Sequence, residues 1–452
     1  MARVIGAYEA AFIQRTPHSR QLFEQARHHL AGGVAGNNKF MKPYPLYVRE
    51  ASGSRIVDVD GNRYIDLLMG AGPLILGHRP EPVIAAIQQQ LERGTHFILP
   101  TELESDLAGK ISRHMPYIEQ LRFTVTGSEA TIMALRVARA YTERDNVAKF
   151  DGHFHGHAHD SLSVNSVTYV GGPPHRPSPV RDWAGIPPSV LDTTLVLPFN
   201  ETEAAVRLIR NHAQSLAAVI LEPVPFTSLG GISPEPGFFE EVRRVTEDEG
   251  ILLIFDEIIT GFRLGLGGAG RYFGVTPDLV ALGKIIGGGL PLGAYGGRED
   301  IMERVVTPTR RPSDEEEKIF QSGTFSANPV SLSAGIATIT QLERADIYAE
   351  LRDRTERLRS GLRSTCEESG VEAHVTGVES MFHVHFTDTP IKNHADAKRS
   401  DAAKNREFCF GLMMHGVFWP LLHGGFLSAA HSDEDIDLVV DAAREVLDSI
   451  GR

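Results

Sequence analysis

One lysine interrupts the apolar stretch "PDLVALGKIIGGGLP" (residues 277–291). Lys284 is followed by Ile285 and Ile286 and then by Gly287, Gly288 and Gly289. A solvated ammonium needs no such setting, whereas an amine that forms an imine with an aldehyde does. Asp256 is similarly placed at the end of the apolar run "ILLIFDE", where an unpaired carboxylate would be costly to bury. "TVTGSEA" sets Thr126, Gly127 and Ser128 at a strand-to-helix turn, whose free N–H groups and helix dipole suit a phosphate. Phe154 in "GHFHGH" could stack on a flat ring, Ile258 could cover its other face, and Thr324 in "QSGTFSANP" offers another phosphate donor. An aldehyde on a cationic aromatic ring with a phosphate, pyridoxal 5′-phosphate, makes all of these demands together. Each residue taken alone has an ordinary use: Lys284 as a surface lysine, Asp256 as a helix cap, Ser128 as a turn residue.

Three other motifs are weaker. "GLGGAG" (Gly265–Gly270) spells a dinucleotide fingerprint, but "IITGFRL" intervenes after the strand and no helix start is expected behind it. His153, His155, His157 and His159 alternate in "HFHGHAHD" and would share one face of an extended segment, as zinc ligands could. No cysteine lies nearby, so histidines around an organic ligand, with no metal, is the expectation. A phosphate loop would place its lysine after the glycines, at a helix start; here Lys284 precedes them.

The elements needed to position these groups are legible. "LYVREASGSRIVDVDGNRYIDL" alternates apolar and polar residues and turns at Asp60–Gly61, a hairpin. "PEPVIAAIQQQLERG" has helical spacing between a proline and a glycine. From about Leu121, strand, loop and helix alternate: "LRFTVTGSEATIMALRVARAY", then "AAVILEPV" and "ILLIFDEI" as strands buried on both faces, with "PGFFEEVRRVTEDEG" helical between them. That rhythm predicts an α/β fold with a mostly parallel, helix-covered sheet. Beyond about residue 335, amphipathic helices near 345–369 and 433–449 bracket the strand-like "FHVHFT" and "GVFWPL", a smaller α+β domain. The expected division is 1–83 as an N-terminal part of that small domain, 84–334 as the large domain, and 335–452 as the rest of the small one.

Composition narrows the function classes. The 452 residues carry a formal net charge of −13, which argues against nucleic acid or an anionic membrane as the partner. Two cysteines, Cys366 and Cys409, are too few for a disulfide framework, so a reducing cytoplasm is expected. The N-terminus lacks the apolar core of a signal peptide, and no run approaches the length of a membrane span.

With those residues in place, the chain resembles the class-III aminotransferases of PLP fold type I. The likeness rests on "ILLIFDEIITGFR", "TPDLVALGKIIGGGLPLGAYGG" and "QSGTFSANPVSLSAG", which follow one another in the middle of the chain. "AGGVAGNNKF", "GPLILGH", "PTELE", "VTGSEATIMALRVARAYTERDNVAKFDGHFHGH" and "FLSAAHSDEDID" extend it over nearly the whole length, toward glutamate-1-semialdehyde aminomutases and their aminotransferase relatives. The resemblance implies Lys284 as Schiff-base lysine and proton shuttle, Asp256 as partner of the ring nitrogen, and Gly127 and Ser128 as phosphate ligands. It also implies Phe154 as the stacking aromatic, where the aminomutase usually has tyrosine, and Glu222 of "LEPV" as a supporting residue. Thr324 would serve the phosphate of a neighbouring subunit, because such enzymes place their sites at a homodimer interface.

Departures cluster where the substrate should bind. The aminomutase has a glutamate before the glycine–phenylalanine near its C-terminus, where this chain has His423 in "LLHGGFLSAAHS". It has Ser-Trp before its "GP", where this chain has Gly70 and Ala71, and an N-terminal arginine where this chain has Lys39. The segment "TPTRRPSDEEEKIFQSG" is also longer. A larger pocket with one less negative charge suits a bulkier amine or β-amino acid, transferred to a separate oxo acid, aldehyde or ketone. Lys39, Arg310 or Arg311 would pair with a substrate carboxylate, and the Gly/Pro-rich Val164–Gly185 would act as a lid. Intramolecular aminomutase chemistry is the alternative. A non-catalytic binding protein on the same fold is a further one, against which the intact Lys284 and Asp256 argue.

Overall fold

Seven strands form the central sheet, in the order 120–124, 293–297, 279–282, 252–257, 216–221, 146–150 and 194–197. The computed structural model describes residues 6–166, 171–306, 318–421 and 423–450. Six of the seven strands share one direction; only Gly293–Gly297 runs against its two neighbours. That strand is rich in glycine because its neighbours approach so closely. A Cβ on Gly296 would stand 2.2 Å from the Gln120 carbonyl oxygen, and one on Gly297 2.1 Å from that of Asp278.

Leu216–Leu221 and Leu252–Glu257 are buried along their whole length, as continuous apolar runs covered on both faces must be. The two-residue alternation assigns the faces. Ala218, Ile220, Leu252 and Ile254 pack with helix Gly127–Thr142, while Val219, Leu221, Leu253 and Phe255 pack with helices Thr202–His212 and Phe238–Asp248. Asp256 therefore continues the Leu252–Ile254 face, toward the helix that begins at Gly127. That helix can lie close because Ala130, Ala134 and Ala138 are all fully buried. Each larger buried partner, such as Leu135, contributes about 1.5–3 kcal/mol.

Two smaller sheets complete the molecule. Val48–Ser52, Arg55–Asp58 and Arg63–Asp66 form an antiparallel meander, to which Val417–Phe418 adds in parallel, so both ends of the chain share one sheet. The single hairpin expected here is three strands, because a second turn forms at Gly53, whose φ of +59° suits glycine. The third sheet joins His374–Thr376, Met381–His385 and Gly425–Phe426. The boundary expected at residue 334 falls inside helix Pro329–Leu342. A short helix, Gly268–Phe273, does start within the "GLGGAG" glycines, contrary to expectation. Its start is capped from outside: the buried Glu257 carboxylate accepts the Ala269 N–H at 2.6 Å, a non-local contact that no local pattern reveals.

Candidate active site

The chemistry-bearing residues gather at the C-terminal ends of the parallel strands, where open α/β sheets place their ligands. Asp256 lies in Leu252–Glu257, Glu222 follows Leu216–Leu221, and His153, Phe154 and His155 follow Asn146–Phe150. Thr126, Gly127 and Ser128 connect Gln120–Thr124 to its helix, and Lys284 comes two residues after Leu279–Leu282. The strands put these residues on one edge although they span about 160 positions of sequence.

On the floor of the site, carboxyls and imidazoles satisfy one another. Nδ1 of His155 lies 2.7 Å from Oδ2 of Asp256, and the Ile258 N–H donates to Oδ1 at 3.1 Å. Burial pushes the Asp256 carboxyl up to about 7, against the pull of the Ile258 N–H and of Lys284, and holds His155 well below its ordinary value. Their contact is therefore a hydrogen bond between an uncharged imidazole and a carboxyl that burial makes hard to ionise, and a cation facing Asp256 would favour its charged form. Glu222 Oε1 accepts the Phe154 N–H at 2.6 Å, and the Glu222 N–H donates to Nδ1 of His153 at 2.9 Å. Burial and the nearby Asp256 raise Glu222 to about 8. Accepting at Nδ1 puts the His153 proton on Nε2, which, like Nε2 of His155, has no partner among the described residues.

Lys284 is half-buried and its ammonium donates to the Ala71 carbonyl at 2.6 Å. Burial lowers it to about 8, opposed by Glu222 and helped by Arg263, so a neutral amine is accessible in mildly alkaline solution. Both ends of this bond have left-handed backbone, with φ of +49° at Lys284 and +66° at Ala71. Non-glycine residues are rare there, and such strain persists where the surroundings enforce it.

The other expected residues divide into those the fold brings together and those it leaves outside. Gly127 faces Ile258: a Cβ there would meet Ile258 Cδ1 at 2.5 Å, and one on Gly156 would meet Ser128 Oγ at 2.3 Å. Thr126 caps its helix, its hydroxyl accepting the Glu129 N–H at 3.2 Å, which leaves the hydroxyl proton to donate. His423 packs against both Phe226 and Phe426 in tilted contacts, at centroid distances of 5.2 and 5.5 Å, and those two rings also touch each other at 4.6 Å. Burial, then the charge of Lys284, brings it down to about 4, a neutral ring at neutral pH. Lys39 and Thr324 are exposed, on the turn Asn37–Lys39 and in the turn before helix Pro329–Leu342, and neither side chain forms a hydrogen bond among the described residues. Arg310 and Arg311 lie outside the described residues. Of the expected lid, Asn165 and Val180 exchange hydrogen bonds and Ser166 bonds Asp182, while 167–170 lie outside the description. Among the described residues no group of three or more His, Cys, Asp or Glu is arranged to hold a metal.

Three participants give little or no signal in the residue order. His155 stands in the alternating histidines expected around an organic ligand, but nothing there pairs it with Asp256; the Ala71 contribution is a backbone oxygen that no side-chain pattern can signal; and Arg263 lies inside the motif "ITGFR" without standing out. The assembled set consists of an accessible amine, a buried acid awaiting a cation, and a glycine-lined helix start with hydroxyls. That set fits pyridoxal 5′-phosphate.

Comparison with known proteins points the same way. Residues 37–427 match the family described as aminotransferase class-III. A glutamate-1-semialdehyde 2,1-aminomutase of Methanosarcina acetivorans is 42% identical over 95% of this chain and 98% of its own. An omega-transaminase of Sphaerobacter thermophilus superposes with a TM-score of 0.90 at 37% identity, covering 96% of this chain and 98% of that one. A transaminase with PLP bound superposes at 0.87 with 31% identity, over 96% and 98% of the two chains.

Proposed function

Because this chain belongs to the class-III aminotransferase family and its cofactor is pyridoxal 5′-phosphate, we propose that it moves an amino group between separate molecules, from an amine or β-amino acid to an oxo acid, aldehyde or ketone. When bound, the cofactor supplies a reactive carbonyl and an electron-withdrawing ring, which together make the proton beside the substrate nitrogen removable. Lys284 would bind the carbonyl carbon through its amine. Once freed, that amine would take the proton and return it, a role suited to a group near pH 8. Asp256 would face the ring nitrogen, oriented by His155 Nδ1. Gly127, Ser128 and Thr126 would hold the phosphate, Phe154 and Ile258 would flank the ring, and Glu222 would support the Phe154 backbone.

The observation that carries the intermolecular reading is the wall opposite this floor. Gly70 and Ala71 present no large side chain, and the neutral His423 stands where aminomutases have a glutamate. Such a wall leaves room for a bulky substrate and has no anion of its own to hold a second ammonium. The second reading, intramolecular aminomutase chemistry, is favoured by the name and extent of the Methanosarcina relative. Incubation with separate amine donors and oxo-acid acceptors distinguishes them. Transfer between molecules is expected, and isomerisation of an amino-aldehyde without any such transfer would overturn the proposal. Borohydride reduction of the loaded enzyme should leave a pyridoxyl group on the Lys284 peptide, and Lys284→Ala should lose both the label and at least about 10³-fold in rate.

A homodimer belongs to the same proposal, with Thr324 and Lys39 serving a site across the interface. Exposed Ile98, Leu99 and Phe325, at 76%, 73% and 59%, support it. The same proposal divides the chain into a cofactor-binding domain, 84–334, and a small domain from 1–83 and 335–452. Among the described residues no helix is long and apolar enough to cross a membrane. The two cysteines are free and buried, which supports a cytoplasmic setting.

A further inference from the structure

Arg263 is 1% exposed and pairs with no carboxylate among the described residues. A buried guanidinium ordinarily has a counter-ion, because its desolvation is otherwise uncompensated. Arg263 instead spends its protons on three separate parts of the chain. Nη1 donates to Ser380 Oγ at 2.7 Å and to the Leu427 carbonyl at 3.3 Å, and Nη2 donates to the Gly72 carbonyl at 2.5 Å. The guanidinium also lies over the Phe426 ring, 5.0 Å from its centroid. Nε is buried without a partner.

The Gly72 contact gives this arrangement a purpose. Met69, Gly70, Ala71 and Gly72 all have positive φ, from +49° to +105°. Two of them are not glycine, so the turn holds its shape against a local cost of about 1–3 kcal/mol for each such residue. Its own hydrogen bonds are turn bonds: Ala71 N–H to Leu68, and Gly72 N–H and, at 3.4 Å, Leu74 N–H to Met69. From outside, Arg263 grips the Gly72 carbonyl at 2.5 Å. One residue earlier, the Ala71 carbonyl receives Lys284 Nζ.

We propose that Arg263 is a positioning residue for Lys284: by gripping the Gly72 carbonyl it fixes the strained Met69–Gly72 turn, which aims the Ala71 carbonyl at the free amine and brings an unbalanced positive charge close to it. The planar fork suits this task, since it can reach Ser380, Leu427 and Gly72 at once while a lysine could not. The charged or titratable groups that bear on the amine are Glu222 and Asp256 from the strand ends, Arg263 from the turn after the second of these, and His423 from the segment before Gly425–Phe426. Of these, only Arg263 is a cation throughout the neutral range, although burial brings it down to about 9. The inference rests on Lys284 being the reactive amine, so it is tested in the cofactor-free chain, while failure of that reading shows separately as absence of the pyridoxyl label after reduction of the loaded enzyme.

The measurement is the rate at which trinitrobenzenesulfonate modifies Lys284 across pH, read by peptide mass spectrometry, with hydrogen exchange at the Ala71 and Gly72 amides alongside. Arg263→Met should move the midpoint of Lys284 modification upward by about one pH unit, because a neighbouring cation no longer opposes protonation. It should also raise exchange at both amides several-fold. Arg263→Lys should keep the midpoint near that of the unaltered chain yet still raise exchange. An unchanged midpoint in a folded Arg263→Met chain would overturn the proposal, as would unchanged exchange in both variants. If Arg263→Met does not fold, Arg263→Lys and Ser380→Ala decide through exchange alone: faster exchange at Ala71 and Gly72 supports the grip, and none in either variant removes it.

Discussion

The floor of the site and its rim are made in different ways. Asp256, Glu222, His153 and His155 stand on strands of one sheet or directly after them, and none is more than 4% exposed. Their polar atoms pair with each other and with nearby backbone N–H groups. The rim is drawn from connections far apart in sequence: the left-handed turn Met69–Gly72, the guanidinium of Arg263, and His423 against a pair of phenylalanines. Strands are rigid and placed by core packing, so a floor built on them keeps its geometry while the rim changes. Rim residues are held by contacts between connections rather than by strand pairing, so one substitution there can alter what is accommodated without dismantling the floor.

Three substitutions or titrations would break that contrast or sharpen it. The largest effect belongs to the floor. Asp256→Asn removes the only acid that continues the strand face toward Gly127, and should lower kcat on the order of 10²–10³-fold whichever amine is supplied. If steady-state kinetics showed the loss confined to one class of amine, floor and rim would not be separate. His423→Glu comes next. A carboxylate beside Lys284 should raise the pH at which the amine becomes neutral and cost about tenfold in kcat/KM near pH 7 for an uncharged amine. Cofactor absorbance should be unchanged, and its loss would show that the rim also holds the cofactor.

The smallest effect is thermodynamic. Asp256 and Glu222 have folded pKa values raised above their unfolded ones, so the folded chain binds more protons than the unfolded chain up to about pH 7 and 8 respectively. The contribution of these two carboxyls to the slope of unfolding free energy with pH is therefore negative across that window, and the stability they give at lower pH is lost as they are forced to ionise. Lys284 and Lys149, both lowered to about 8, oppose this only weakly below pH 8, where their folded forms are still mostly protonated. The buried histidines, held neutral in the folded chain, oppose it as well. The effect is therefore read as a difference: by urea unfolding of the cofactor-free chain, the stability of the unaltered chain relative to Glu222→Gln should fall by about 1–2 kcal/mol between pH 6.5 and 8. A difference that does not change with pH would mean that Glu222 is not held protonated in the folded chain.

What could be read from the residue order follows the same division. The strands at 216–221 and 252–257, the helix behind Gly127 and the meander turn at Asp60–Gly61 were visible because apolar spacing, small residues and turn residues are local signals. The family likeness picked out Lys284, Asp256, Gly127 and Ser128, and the fold does bring their segments to one sheet edge. The second meander turn at Gly53, the helix capped by Glu257, the His155–Asp256 contact and the Arg263 grip were not visible. Each joins residues that only packing brings together, or uses a backbone oxygen common to every residue.

By itself, then, the order of residues determined an α/β chain with an acid and an amine set at the ends of buried strands, because periodicity and the expense of burying a charge are properties of short segments. Only the tertiary structure decided that His155 backs Asp256, that Ala71 offers its carbonyl to Lys284, and that Arg263, 191 positions from Gly72, holds the turn between them. Such contacts depend on how elements from the two ends and the middle of the chain close on one another, and that closure is settled by the packing of the whole core.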